Sequence, residues 1–165
     1  IKENYPLAKR YKFYTGQIYQ FCGAEVEILW TGDLMYPHPY LSGNDMSISF
    51  RIKFSNGKTA LFLGDIMSYA CRNMASAYRE YLKSDIMQVT HHGLIGGDTE
   101  TYKLIDPKIC LWPTSHERFM GIMPGQKFQF CIGGGGCDYN RFLRDDTVRV
   151  REHYDQEKTV TININ

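Results

Sequence analysis

Residues 46–54 read Met-Ser-Ile-Ser-Phe-Arg-Ile-Lys-Phe, a strict alternation of apolar and polar side chains. A period of two belongs to a strand with one buried face, and a helix cannot present it. The run predicts a strand over 46–54, with Met46, Ile48, Phe50, Ile52 and Phe54 on the core side. Asn56-Gly57 follows, the strongest short hairpin signal a sequence can carry. The chain must then return antiparallel through the more continuously apolar stretch 59–63, which delivers it to Gly64-Asp65.

Around this hairpin the remaining elements fall into place. Short strands are predicted over 18–21 and 26–30, joined at Gly23, with a Pro- and Gly-punctuated loop over 31–44. Residues 68–82 contain neither Gly nor Pro, and Ala70, Met74, Ala77, Tyr78 and Tyr81 recur at helical spacing. A short apolar strand over 85–90 runs into His91-His92-Gly93. A second helix is predicted over 99–105, stopped by Asp106-Pro107, and a buried strand over 108–112. Segments 126–132, 148–154 and 160–164 supply further strands. The order predicts one α/β domain over 1–165, a mixed sheet with helices on at least one face.

Net charge is +1, from 19 basic and 18 acidic side chains, which argues against a phosphate-neutralising surface as the main business of the chain. No apolar run approaches the roughly 20 residues of a membrane helix, so no membrane contact is expected of this chain. Five Cys, at 22, 71, 110, 131 and 137, match neither a disulfide framework nor a zinc ribbon. Free thiols are expected, and with them a reducing, cytoplasmic compartment. Cys131 and Cys137 flank a four-glycine run that lacks the Lys and Ser/Thr of a phosphate loop. It reads as a surface loop.

Asp65 and His91 each follow directly on a predicted strand. Adjacent strand ends in an α/β sheet bring sequence-distant side chains together at the rim where ligands bind. A carboxylate and an imidazole there suit a divalent metal such as zinc, and Gly64 and Gly93 permit the tight turns beside them. The plainer reading of Asp65 is the N-cap of the helix that follows.

Asn44-Asp45-Met46-Ser47, the Asn56-Gly57 hairpin, Leu63-Gly64-Asp65 and Ser84-Asp85-Ile86-Met87-Gln88-Val89-Thr90-His91-His92-Gly93 occur in that order. This ordered set resembles the metallo-β-lactamase superfamily, and within it the branch of the soluble domain of the competence protein ComEC. The resemblance runs on through Asp106-Pro107-Lys108 to Trp112-Pro113, and more loosely beyond. It implies half of an αββα sandwich and a hydrolase holding two divalent metal ions, zinc first among them. It makes Asp65 the carboxylate that bridges the metals and His91 the histidine that closes the second site, with His92 outside the ligand shell. Asn44 stands where many members carry a third ligating His, so that metal would be held more loosely. The implied chemistry is attack by metal-bound hydroxide on a phosphoester or similar bond, on a small-molecule or phosphodiester substrate.

The family's upstream motif, His-x-His-x-Asp-His, is absent from the 165 residues. The chain is therefore expected to be the C-terminal portion of the fold, partnered by a missing N-terminal half. Alone it should bind metal weakly, be inactive, and associate with itself through the apolar surface that half would cover. Two other readings stand beside the enzyme. One is a non-catalytic binding or scaffold module. The other is a nucleic-acid-binding domain using Arg141, Arg144, Arg149 and Arg151, with salt-sensitive binding as its mark. His38, between two prolines, and His116, after the strand ending at Trp112, are the remaining candidates for substrate or metal contact.

Overall fold

A computed structural model describes residues 9, 11–32, 42–94 and 96–114, and the backbone of 150–153. Seven strands lie in one mixed sheet in the order of the chain: β1 (Ile18–Phe21), β2 (Ala24–Trp30), β3 (Ser49–Lys53), β4 (Thr59–Phe62), β5 (Ile86–Gln88), β6 (Ile109–Trp112) and β7 (Val150–His153). β1 to β4 pair antiparallel, and β4 to β7 pair parallel. Helix α1 (Ser68–Tyr78) connects β4 to β5, and α2 (Thr99–Ile105) connects β5 to β6. The chain is thus α/β with a mixed sheet and flanking helices.

The two faces of the sheet differ. Leu61, Met87 and Cys110 are in register on one face. With Leu29, Leu63, Val89 and Trp112 they form a buried core against Ala70, Cys71 and Met74 of α1 and Tyr102 and Ile105 of α2. The opposite face carries half-buried Val26, Phe50, Ile52, Phe62 and Leu111 beside buried Ile28, Ala60 and Ile86. There the rings of Phe50 and Phe62 stack with centroids 4.9 Å apart. Neither α1 nor α2 packs on this second face.

Several boundaries differ from the sequence expectation. The alternating run does not form a strand over its whole length. Residues Gly43–Met46 make a 3-10 turn, and the strand begins only at Ser49. The reason is a capping box. The Ser42 hydroxyl accepts from the Asp45 backbone N–H while the Asp45 carboxylate accepts from that of Ser42. Met46 and Ile48 are consequently 41% and 40% exposed rather than buried. The predicted helix over 68–82 is broken. Arg79 adopts φ 47°, ending α1, and a 3-10 turn over Arg79–Leu82 swings Leu82 into the core. Ala77 and Tyr81, expected on the buried face, are exposed. Strand β5 ends at Gln88, and a turn over Thr90–Gly93 replaces its last predicted residue. The strands expected over 126–132 and 160–164, the glycine run, Cys131 and Cys137, and Arg141, Arg144 and Arg149 lie outside the described residues, as does the side chain of Arg151.

Asp85 anchors the end of the sheet away from Gly64-Asp65. Its carboxylate accepts from the Thr59 N–H at 3.0 Å and hydroxyl at 3.3 Å, with Lys58 at 3.7 Å and Lys108 at 4.0 Å. Burial works to raise its pKa, but the Thr59 bonds and the two lysines outweigh it and hold the carboxyl below its ordinary value. A depressed folded pKa adds stability that is present above the unfolded value, about 3.9, and lost as pH falls through the folded one. Asp85→Asn should therefore lower stability by about 1 kcal/mol at pH 7. That loss should shrink as wild type itself becomes protonated in acid. Denaturant titrations at neutral and acid pH test this; an equal loss at both would contradict it.

Candidate functional site

The ends of the parallel strands β4 and β5 bring the two sequence-marked segments together. After β4 the chain passes through Gly64 at φ +61° to Asp65, and the His91 N–H donates to the Gly64 carbonyl at 2.9 Å. A Cβ on Gly64 would lie 2.8 Å from the Ser47 Cβ, so the close approach requires glycine. The Ser47 hydroxyl in turn accepts from the Asp65 N–H at 3.1 Å.

Asp65 does not cap α1. Met67 occupies the cap with no side-chain hydrogen bond of its own, and its N–H donates instead to the Asp45 carboxylate at 2.7 Å. The Asp65 carboxylate is left 39% exposed, with Oδ1 3.6 Å from His92 Nε2.

After β5 the backbone takes three consecutive left-handed residues: His91 at φ 48°, His92 at φ 58° and Gly93 at φ 74°. For an ordinary L-residue that conformation costs about 1–2 kcal/mol. Two strained histidines in a row are a feature that functional sites retain. The strain aims the two rings differently. His91 Nε2 lies 3.3 Å from Asn44 Nδ2, whereas His92 Nδ1 lies 2.7 Å from the Pro113 carbonyl and its Nε2 faces Asp65. The structure therefore brings together Asn44, Asp65, His91 and His92. It sets His92 beside Asp65 and His91 beside Asn44, where the resemblance implied that His91 shares the metal with Asp65. His38 and His116 lie outside the described residues.

Chemistry follows from the His92 contacts. A carbonyl can only accept, so Nδ1 carries the ring proton and a neutral His92 has its bare lone pair on Nε2. That lone pair faces a carboxylate oxygen at 3.6 Å. Both groups are open to solvent, and a cation or a water molecule can bridge the two acceptors. Two ligands of one tetrahedral zinc, each at about 2.1 Å, stand roughly 3.4 Å apart. The Asp65–His92 separation fits two corners of such a shell, and a ring N–H donated to a backbone carbonyl is the usual support of a ligating histidine. Among the described residues no group of three or more His, Cys, Asp or Glu assembles to hold a metal ion. Asp65 and His92 stand at this spacing with no third such group beside them among the described residues.

No protein-family model matches the chain, and no curated protein matches it. Among solved structures, the metallo-beta-lactamase fold protein YhfI from Bacillus subtilis is similar to it, at 11% identity and a TM-score of 0.44. The match covers 93% of this chain and 58% of that one, so the chain spans less than two thirds of that protein's length.

Three supports of the site had no functional reading in the sequence. Asp45 is fully buried, and Ser42-x-x-Asp45 was the capping-box signal that could have found it. Gln88 is a polar residue inside an apolar strand. The Pro113 carbonyl leaves no mark in a sequence at all. The buried thiol of Cys71 is no nucleophile: burial, with Asp98 and Asp45 nearby, pushes its pKa far up. No helix among the described residues is long and apolar enough to cross a membrane.

Proposed function

We propose that this chain supplies one side of a metal-dependent hydrolase site of the metallo-β-lactamase type, with phosphoesters as the substrate class. The observation that carries the reading is the convergence of Asp65 Oδ1 and His92 Nε2 at 3.6 Å, with the His92 proton committed to the Pro113 carbonyl. Asp65 and His92 would hold one ion, zinc in the first instance. His91 and Asn44 would border a second position. The other ligands come from outside the described residues, from an N-terminal half of the same fold on the ComEC-like reading. The half-buried face carrying Phe50 and Phe62 is where that half of the sandwich would pack. A metal in such a site lowers the pKa of bound water to about 7 and so makes a nucleophile available at neutral pH. The share of this chain is to orient: the left-handed turn presents His92, the Ser47 contact steadies Asp65, and the exposed side of both leaves room for a substrate.

The test is elemental analysis and zinc titration of the complete gene product, together with Asp65→Ala and His92→Ala. Wild type should carry zinc, and each variant should bind it about 100-fold more weakly or worse. Phosphodiester hydrolysis should fall in parallel. A metal-free wild type whose properties are unchanged by Asp65→Ala would refute the reading and leave the scaffold alternative.

A further inference from the structure

Gln88 stands where an apolar strand would ordinarily carry an apolar side chain. Ile86, Met87 and Val89 around it are buried, and its cross-strand partners are Phe62 and Leu111. Both ends of its amide are nevertheless used. Oε1 accepts from the backbone N–H of Leu63 at 3.1 Å and of Gly64 at 2.8 Å. Nε2 donates to the carbonyl of Val89 at 2.6 Å and reaches that of Gly64 at 3.4 Å. β4 ends at Phe62, so Leu63 and Gly64 have left the strand ladder. The side chain of Gln88 takes the place of the missing rungs, and the next residue along the chain is Asp65.

We propose that Gln88 is the positioning residue that sets the Asp65 carboxylate against the His92 ring. It fixes the turn before Asp65 from the β5 side, while Ser47 fixes the Asp65 N–H from the β3 side. The task needs an acceptor and a donor on one side chain at this reach. Leucine has neither, lysine only donates, and glutamate keeps only the acceptor. The inference deepens the proposed site and rests on that reading for its bearing on metal binding; its geometric part is tested separately.

The experiment is NMR on the isotope-labelled complete gene product. In wild type a through-hydrogen-bond coupling should join the Gly64 amide nitrogen to the Gln88 side-chain carbonyl carbon. Its absence would overturn the proposal even if no variant folds. In Gln88→Leu the Leu63 and Gly64 amide hydrogens should exchange about tenfold faster or more. The Asp65 carboxyl and His92 ring resonances should move with them. Gln88→Glu keeps the acceptor and loses the donor, so it should regain part of the Leu63 and Gly64 protection and leave the Asp65 and His92 resonances between those of Gln88→Leu and wild type. Thr59→Val, at the far end of β4, should leave the Asp65 and His92 signals in place. Faster exchange in Gln88→Leu with Asp65 and His92 unmoved would reduce Gln88 to a structural role and overturn the proposal. A separate zinc titration keeps the two ideas apart. If zinc leaves the wild-type Asp65 and His92 signals unshifted, the metal reading fails while the coupling and exchange data still support Gln88.

Discussion

Replacing Gly93 by alanine is expected to lower the stability of the fold by about 2–5 kcal/mol, the sum of a left-handed backbone penalty and an overpacking penalty. Gly93 sits at φ +74°, where a Cβ is unwelcome whatever the space around it. There is also no space. The added methyl would lie 2.4 Å from Cε3 and Cζ3 of Trp112. That ring is fully buried in the core with Val89 and Leu63, so it cannot swing aside as the end of a flexible side chain would. The backbone at Gly93 must move instead, and His91 and His92 are on the same turn. The Asp65–His92 contact should therefore be lost along with stability. Denaturant titration gives the first quantity and the His92 ring resonances the second. A loss below about 1 kcal/mol would show that the core near Trp112 yields more readily than close packing allows.

Asp45→Ala should cost about 3–4 kcal/mol, because it orphans hydrogen-bond donors at a buried position. The Asp45 carboxylate is fully buried and accepts from the Met67 N–H at 2.7 Å, the Ser42 N–H at 2.8 Å and the Ser42 hydroxyl at 3.0 Å. It thereby ties the turn over 42–46 to the start of α1, with Asn44 and Asp65 on either side of the join. The Trp30 indole N–H donates to the Asp45 backbone carbonyl, a bond the substitution leaves in place. Asp45→Asn keeps one accepting oxygen and turns an amide NH2 toward the remaining donors. It should fall between wild type and alanine. Denaturant titration of the three proteins checks the order, and an alanine variant as stable as wild type would contradict the capping role.

The hairpin was legible because alternation and Asn56-Gly57 are local signals that tertiary context rarely overrides. The parallel part was legible from the helical period between apolar runs. What could not be read was where local hydrogen bonding outcompetes the strand. Met46 and Ile48 obey the alternation, yet the Ser42–Asp45 box folds the turn and leaves both exposed. Likewise Tyr81 fits the helical spacing, but Arg79 breaks the helix first, and Tyr81 ends on the surface stacked under Arg51. At the site, the strand-end positions of Asp65 and His91-His92 were readable. Which histidine faces Asp65 was not, since it depends on a left-handed turn and on a carbonyl at Pro113, twenty-one residues further along.

The order of the strands in space is their order in the chain. Among the described strands each is laid beside the one made before it, and none is threaded between two already paired. A chain emerging from a ribosome can extend this sheet rung by rung from one edge. Loss of β7 would remove an outer strand of the described sheet and open no gap within it. Among the described residues, the contact from furthest along the chain to the Asp65–His92 pair is that of the Pro113 carbonyl with His92, so this contact can form only after β6 has been made.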